Sequence, residues 1–352
     1  MSNNIHLLYI EDETNLWDGF LKEAEIYGAV PENKIAFVVH CVPGIEEAKA
    51  AIATQKFDII VTDLKIATGI PGSDAVTTGN LFIKELKEIS PCPIAILTGK
   101  PSDVEDDTLD RSSMAKFTKE VDAETKIFHW IKTKLPLISL MQQSFELLNK
   151  ELATLFHSGV ADRISELGST IPAESSLRMI LENIADRILT VNSTTKSHPQ
   201  ESYIHPVIRN NIMTGDLISI GDETWVILTP ACNIVRYSKN EIVLLAKCND
   251  HPKYRQYLDA AEKGDDKSLR ALINQANNLF THFLPPLNKG EAPKIVNFDE
   301  LITIKYSELD PNNIIAAISP KFLPNLIHRF SAYIGRPGAP DIEPSHCLQH
   351  SL

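Results

Sequence analysis

Residues 57–64 read Phe-Asp-Ile-Ile-Val-Thr-Asp-Leu, and the reading of the chain turns on Asp63. Ile59, Ile60 and Val61 form the short continuous apolar run expected of a strand buried on both faces of a parallel sheet. An acid follows almost at once. The same pattern recurs on either side. Residues 5–10 (IHLLYI) are apolar and lead into Glu11, Asp12 and Glu13; residues 93–99 (PIAILTG) end on Thr98 and Gly99; residues 115–120 (AKFTKE) carry Lys119 at the end of a short run. Residues 34–41 (KIAFVVHC) supply a further strand. Between these runs the apolar spacing changes to three and four. Leu16, Phe20, Leu21 and Ala24 share a helical face that Gly28 is expected to stop, and Ile45, Ala48 and Ile52 share another. Residues 80–89 and 121–135 complete the set of helices. The alternation is (βα)5, an α/β fold with a doubly wound parallel sheet and helices on both faces. In such sheets the functional crevice lies beyond the carboxyl ends of the strands. Residues far apart in sequence are therefore expected to meet at one edge.

The residues that meet there have a coherent use. Clustered carboxylates repel, and a divalent cation relieves the repulsion. Mg²⁺ prefers oxygen ligands in octahedral geometry and can neutralise an incoming phosphoryl group. A carboxylate such as Asp63 can form an aspartyl-phosphate. The Lys119 ammonium suits one phosphoryl oxygen and the Thr98 hydroxyl another, so that catalysis is mainly positioning and electrostatics.

The stretches LLYIEDE, DIIVTDLKI, AILTG and FTKE, in this order over about 130 residues, resemble the signature stretches of response-regulator receiver domains of two-component signalling. The resemblance implies that Asp63 is the phosphoacceptor and that Glu11 and Asp12 hold Mg²⁺ together with Asp63 and the backbone carbonyl of Lys65. It also implies that a histidine kinase is the donor. The sequence departs from the pattern in several places. Glu11 stands where Asp is usual, and Glu120 replaces the usual proline and its cis peptide. The switch aromatic, expected at position 116, is replaced by Lys116 with Phe117 beside it. The loop KIATGIPGSDAVTTGN after Asp63 is long, and no clear fourth helix is visible in SDVEDDTLDRSSM.

The remainder divides, on its pattern, into a helical segment at 136–202 and an α+β domain at 203–352, with the receiver at 1–135. Pro136 is expected to begin the second part. Leu137, Met141, Phe145, Leu148, Leu152 and Leu155 then recur at helical spacing, as do Leu177, Ile180, Leu181, Ile184 and Ile188. These helices read as one packed core or as a homodimerising hairpin through 137–190. Residues 192–202 read as a polar loop. Beyond them, Asp216–Ile220 and Thr224–Thr229 around Gly221-Asp222-Glu223 read as a hairpin. Strands are expected at 241–247 and 301–306, and helices around 253–280 and 319–334. The hairpin weakly resembles the opening of small SH3-like barrels, including PemK-type toxins. Cys232, Cys248 and His251, with His205 or His346, invite a zinc reading, against which stands the commoner use of buried cysteine as a small apolar residue. Trp225, Tyr237 and the face Phe322–Leu326–Phe330–Tyr333 read as core.

Composition sets the outer bounds. The formal charge of −12 makes a general nucleic-acid binder unfavoured, because such binding depends on Lys and Arg. No basic helix-turn-helix is legible. Five scattered cysteines without a CxxC pair fit a reducing cytoplasm. Nothing reads as a signal peptide or a membrane span. The expected function is that of a cytoplasmic response regulator passing a signal to an atypical C-terminal domain. No enzyme activity is expected beyond the receiver's own phosphorylation and dephosphorylation. Two alternatives remain at this stage: a phosphate sink or adaptor in a bacterial, even anti-phage, signalling module, and a nuclease or toxin-like effector gated by the receiver.

Overall fold

A computed structural model of the chain describes residues 3–33, 35–66, 74–105, 112–190, 196–236, 241–275 and 280–336, with Glu343 and Ser345. They fall into two compact units, residues 1–193 and 194–352.

The first unit opens with β1 (Asn3–Ile10), α1 (Trp17–Ala29), β2 (Ile35–Val42), α2 (Ile45–Thr54), β3 (Ile59–Asp63), α3 (Ala75–Ile89), β4 (Ile94–Thr98) and β5 (Met114–Thr118). The five strands are parallel, in the order β2-β1-β3-β4-β5. Every residue of β3 and β4 is buried, as their uninterrupted apolar runs require. Two cores flank the sheet. On one face Tyr9 stacks on Phe20, with ring centroids 4.0 Å apart, beside Phe128 and Ile131; on the other, Leu8, Ile10 and Ile60 pack on Phe82, Ile83 and Leu86. Each fully buried aliphatic or aromatic side chain contributes about 1.5–3 kcal/mol.

Several sequence expectations need correction. The stretch after Asp63 is not all loop: Asp74 caps α3, accepting hydrogen bonds from the Val76 and Thr77 backbone, so residues 75–80 are helical. Gly79 on this helix presses against the Leu64 carbonyl, where an added Cβ would lie 1.9 Å away. Gly28 does not stop α1, which runs on to Ala29. Its lack of a side chain serves a close approach to the Ile35 carbonyl. Between β4 and β5 the described residues hold only a single 3₁₀ turn, Pro101–Asp103; residues 106–111 of SDVEDDTLDRSSM lie outside them.

The expected break at Pro136 is absent. One helix, α4, runs from Ala123 to Leu155 through Pro136. Ile131 before the proline and Ile138 after it belong to the same core cluster, so packing on both sides carries the helix through a residue that disfavours it. The helix ends in a kink where Gly159 adopts φ +93°, a left-handed conformation open to glycine. Then follow α5 (Ala161–Leu167) and α6 (Ala173–Thr190), which returns along α4 and joins it through Arg187 Nε and the buried Glu151 carboxylate, 2.7 Å apart. The apolar seam foreseen here is divided. Ile184 and Leu155 are buried, whereas Leu148, Leu152, Leu177 and Leu181 are exposed.

The second unit comprises β6 (Tyr203–Ile204), β7 (Asp216–Ile220), β8 (Glu223–Ile227), α7 (Ala231–Arg236), β9 (Ile242–Asp250), α8 (Tyr254–Glu262), α9 (Lys267–Ile273), β10 (Thr281–Leu284), β11 (Lys294–Lys305), β12 (Ile314–Ile318) and α10 (Leu323–Ile334). Its sheet has the order β10-β11-β9-β8-β7-β12-β6, and β7 and β8 form the expected antiparallel hairpin. The strand expected at 301–306 is the second half of β11, which breaks register with β9 between Asn297 and Leu301. Phe322, Leu326, Phe330 and Tyr333 pack α10 onto one face of the sheet, and Trp225 lies in the core of the other. Tyr237 and His346 lie outside the described residues.

Candidate functional site

The carboxyl ends of β1 and β3, neighbours at the centre of the sheet, are where the connections diverge to opposite sides. That is the point at which doubly wound sheets bind ligands. Glu11 follows β1, its backbone N–H donating to the Val42 carbonyl at 3.1 Å, and Asp63 ends β3. Glu11, Asp12 and Asp63 each place a carboxylate oxygen within 4.8 Å of the others. Glu11 and Asp63 are buried and Asp12 is partly open. Lys119, just beyond β5, reaches both buried acids: its Nζ lies 2.8 Å from Glu11 Oε2 and 3.0 Å from Asp63 Oδ2. The Lys119 backbone is held in turn by the Thr98 carbonyl, which accepts its N–H at 3.0 Å.

The electrostatics follow from burial. Desolvation raises the Glu11 carboxyl above its usual range; the Lys119 ammonium lowers it in part, and the Asp63 charge adds to the rise. Burial lowers the Lys119 ammonium, but its hydrogen bonds to Glu11 and Asp63 outweigh that, so its pKa lies above the ordinary lysine value. Three carboxylates with one ammonium leave net negative charge in a partly dry crevice. That donor set, all oxygen and with one member open to solvent, fits a hard divalent cation such as Mg²⁺.

The structure brings together Glu11, Asp12, Asp63 and Lys119. Thr98 lies fully buried at the end of β4, next to the strand that carries Asp63. Its hydroxyl exchanges hydrogen bonds with the Lys100 backbone, at 3.2 Å from the N–H and 3.4 Å from the carbonyl. The Lys65 side chain pairs with Asp103 at 3.6 Å. Phe117 faces inward and meets Trp130 edge-on at 5.9 Å, while Lys116 occupies the exposed side of the strand where a switch aromatic was expected.

Sequence reasoning missed the supports. The Tyr9 hydroxyl points to Glu11 Oε2 at 3.5 Å, and the Trp17 indole N–H donates to the Glu11 carbonyl at 2.9 Å. The Glu13 N–H donates to Glu11 Oε1 at 3.3 Å. Buried Asn80 ties α3 to the turn after β4 through the Asp103 carbonyl and the Glu105 N–H. The signal for Tyr9 was present, since residues two apart on a strand share a face.

The remaining candidate, a zinc site at Cys232, Cys248 and His251, does not form. Cys248 is buried in the sheet core, and Cys232 is exposed on α7. Among the described residues, Glu11, Asp12 and Asp63 are the one group of three acids, histidines or cysteines placed to hold a metal.

The strand order β2-β1-β3-β4-β5, with acids after β1 and β3 and a lysine after β5, decides the fold. The five-stranded part of the first unit has the fold of a CheY-like receiver domain. Solved structures similar to it include a CheY-like receiver domain from Methylobacillus flagellatus, at 15% identity over 36% of this chain and 98% of that one, with a TM-score of 0.28. A receiver domain protein from Clostridium thermocellum is 18% identical over 39% of this chain and 98% of the other, with a TM-score of 0.31. The response regulator TrrA from Thermotoga maritima, solved in complex with Mg(2+)-BeF, is 16% identical over 37% of this chain and 99% of its own, with a TM-score of 0.29. No protein-family model and no curated protein sequence matches the chain. No helix among the described residues is long and apolar enough to cross a membrane.

Proposed function

We propose that the receiver accepts a phosphoryl group on Asp63 from a histidine kinase and passes the resulting change to the C-terminal unit. The observation that carries this reading is Lys119 lying between Asp63 and Glu11 at the carboxyl edge of the sheet, with Asp12 beside them. An Asp63 carboxylate oxygen attacks the phosphorus as the donor's P–N or P–O bond breaks, and the donor leaves with the bonding electrons. Lys119 is placed to turn from Glu11 to a phosphoryl oxygen and balance its charge. The Thr98 hydroxyl, released from Lys100, donates to another. Glu11, Asp12 and Asp63, with the Lys65 carbonyl, would hold Mg²⁺, which when bound supplies neutralising charge at the acidic crevice. The Mg(2+)-BeF complex of TrrA supports the same assignment by analogy of fold.

The test is intact mass after incubation with acetyl phosphate and Mg²⁺. One phosphoryl should be gained by the wild type and lost in Asp63→Asn and in the presence of a chelator. Equal labelling of Asp63→Asn would end the proposal.

The partner side of the reading is a homodimer through residues 137–190. Leu140, Leu148, Leu152 and Phe156 on the α4 arm and Leu177, Leu181 and Leu189 on α6 stand about half exposed. Exposed apolar side chains on both helices of one hairpin are what a second copy would cover. Leu177→Glu with Leu181→Glu is expected to give monomer in analytical ultracentrifugation where the wild type gives dimer. A monomeric wild type would overturn it.

A further inference from the structure

The C-terminal unit contains a cavity of about 480 Å³ at the free edge of β10, between the helices α8 and α9 on one side and the start of α10 on the other. The size lies within the range of small-molecule sites, roughly 300–1,000 Å³. Its walls are largely apolar, with Tyr254, Ile273, Leu284 and Phe322 among them. Polar residues interrupt that character, among them Ser202, His198 and His282. His282 on β10 is 4% exposed, and its Nδ1 has no hydrogen-bond partner. Buried polar groups in folded proteins are nearly always partnered, so a partnerless imidazole in the wall of a cavity points to a ligand. Burial, and then the Arg329 charge, holds the ring in its neutral form, which has one donor and one acceptor nitrogen.

The surroundings decide the ligand's charge. Lys321, the cation on the cavity wall, is already bound to Glu201 Oε2 at 3.2 Å and to the Ser197 hydroxyl at 2.8 Å. Arg329 near His282 directs its Nε and one Nη2 N–H at the Thr281 carbonyl. At the start of α10 the Leu323 N–H is taken by the Ser319 carbonyl and the Asn325 N–H by the Phe322 carbonyl, and Pro324 has none. The helix start therefore holds no free donor for an anion. What remains is a largely apolar pocket whose cation is paired, with the His282 and His198 rings and the Ser202, Asn274 and Asn325 side chains as its polar points; of the two rings, His198 already accepts the Gln200 N–H at its Nδ1. The rim is fixed as well: Gln275, at φ +52°, turns its side chain back so that Oε1 accepts the Phe283 N–H at 3.0 Å.

We infer that the C-terminal unit is a receptor for a small, uncharged, largely apolar ring compound whose hydroxyl or N–H group pairs with His282. The site lies outside the receiver and gives the protein a chemical input independent of phosphorylation.

The test uses the full chain with phenol and indole as probes, toluene as a ring without a donor, and benzoate as a charged ring, followed by saturation-transfer NMR titration. Phenol and indole are expected to bind, toluene at least tenfold more weakly, and benzoate least of all. His282→Leu should weaken indole tenfold or more while toluene binding stays the same. Ile273→Trp, at a half-exposed rim position, should block every probe. It decides the matter alone if His282→Leu does not fold. Absence of binding by phenol and indole, benzoate binding as well as phenol, or indole binding unchanged in Ile273→Trp would each overturn the inference.

Discussion

Replacing Lys119 with methionine keeps much of the stem's volume and removes the cation that Glu11 and Asp63 share. The two acids are within 4.8 Å of each other, and the ammonium sits 2.8 and 3.0 Å from them. Two carboxylates at that separation repel by about 3 kcal/mol at an effective dielectric constant of about 20. Taking one partner from a buried ion pair costs about 3–5 kcal/mol when the other charge stays. Glu11 has an escape, because burial already raises its carboxyl and proton uptake caps the loss. Lys119→Met is therefore expected to destabilise the receiver by about 2–4 kcal/mol at pH 8 in a chelator. The pH dependence has a definite sign. A carboxyl whose folded-state pKa is raised contributes stability below its unfolded value and loses it as pH rises through the folded value. The penalty should accordingly shrink as the pH is lowered from 8 towards 5. Mg²⁺ should restore more stability to the variant than to the wild type, because it meets a crevice with one positive charge fewer. Urea unfolding followed by tryptophan fluorescence measures this directly, since Trp17 is bonded to the Glu11 backbone. An unchanged midpoint at pH 8, or a loss that grows on acidification, would refute the account.

Three further outcomes are expected. Pro136→Ala should stabilise the first unit by about 1–3 kcal/mol, raising its melting temperature by about 2–4 °C per kcal/mol, because a proline sits inside α4; calorimetry checks it, and a lower melting temperature would show that the helix needs its proline. Gly79→Ala should cost about 3 kcal/mol and reduce phosphoryl acceptance, because the new methyl collides with the Leu64 carbonyl next to Asp63; unchanged unfolding and labelling would contradict this. His282, whose pKa burial pushes down to about 3, should make the C-terminal unit lose stability as pH falls from 6.5 towards 3, with a slope of about 1.4 kcal/mol per pH unit. His282→Leu should flatten that profile in denaturation curves taken across this range.

The receiver was legible because its chemistry sits where a change of pattern can be seen. Glu11, Asp63, Thr98 and Lys119 each end an apolar run, and the parallel sheet gathers run ends at one edge. What escaped notice depends on contacts that cross the sequence. Tyr9 and Trp17 look like core residues until the strand's face and the following turn place them against Glu11. Pro136 carries a strong local signal to stop a helix, and Ile131 and Ile138, a turn or so to either side, override it by packing into one core. The C-terminal cavity could not be read at all. His282 and Asn325 are ordinary residues in separate elements, and their meaning arises only from the edge of β10 and the start of α10 closing on the same space.

The unbroken helix α4 sets how a change at Asp63 can be transmitted. Its 33 residues form a rod about 50 Å long, anchored in the receiver core as far as Ile138. Beyond that anchor, Leu155 lies about 25 Å further along, so a tilt of about 10° at the anchor swings it through roughly 4 Å. A slack tether would absorb such a tilt; a stiff beam multiplies it. Under the proposed phosphorylation of Asp63, a small rearrangement of the crevice would leave the receiver as leverage, read out as displacement at the far end of a lever arm.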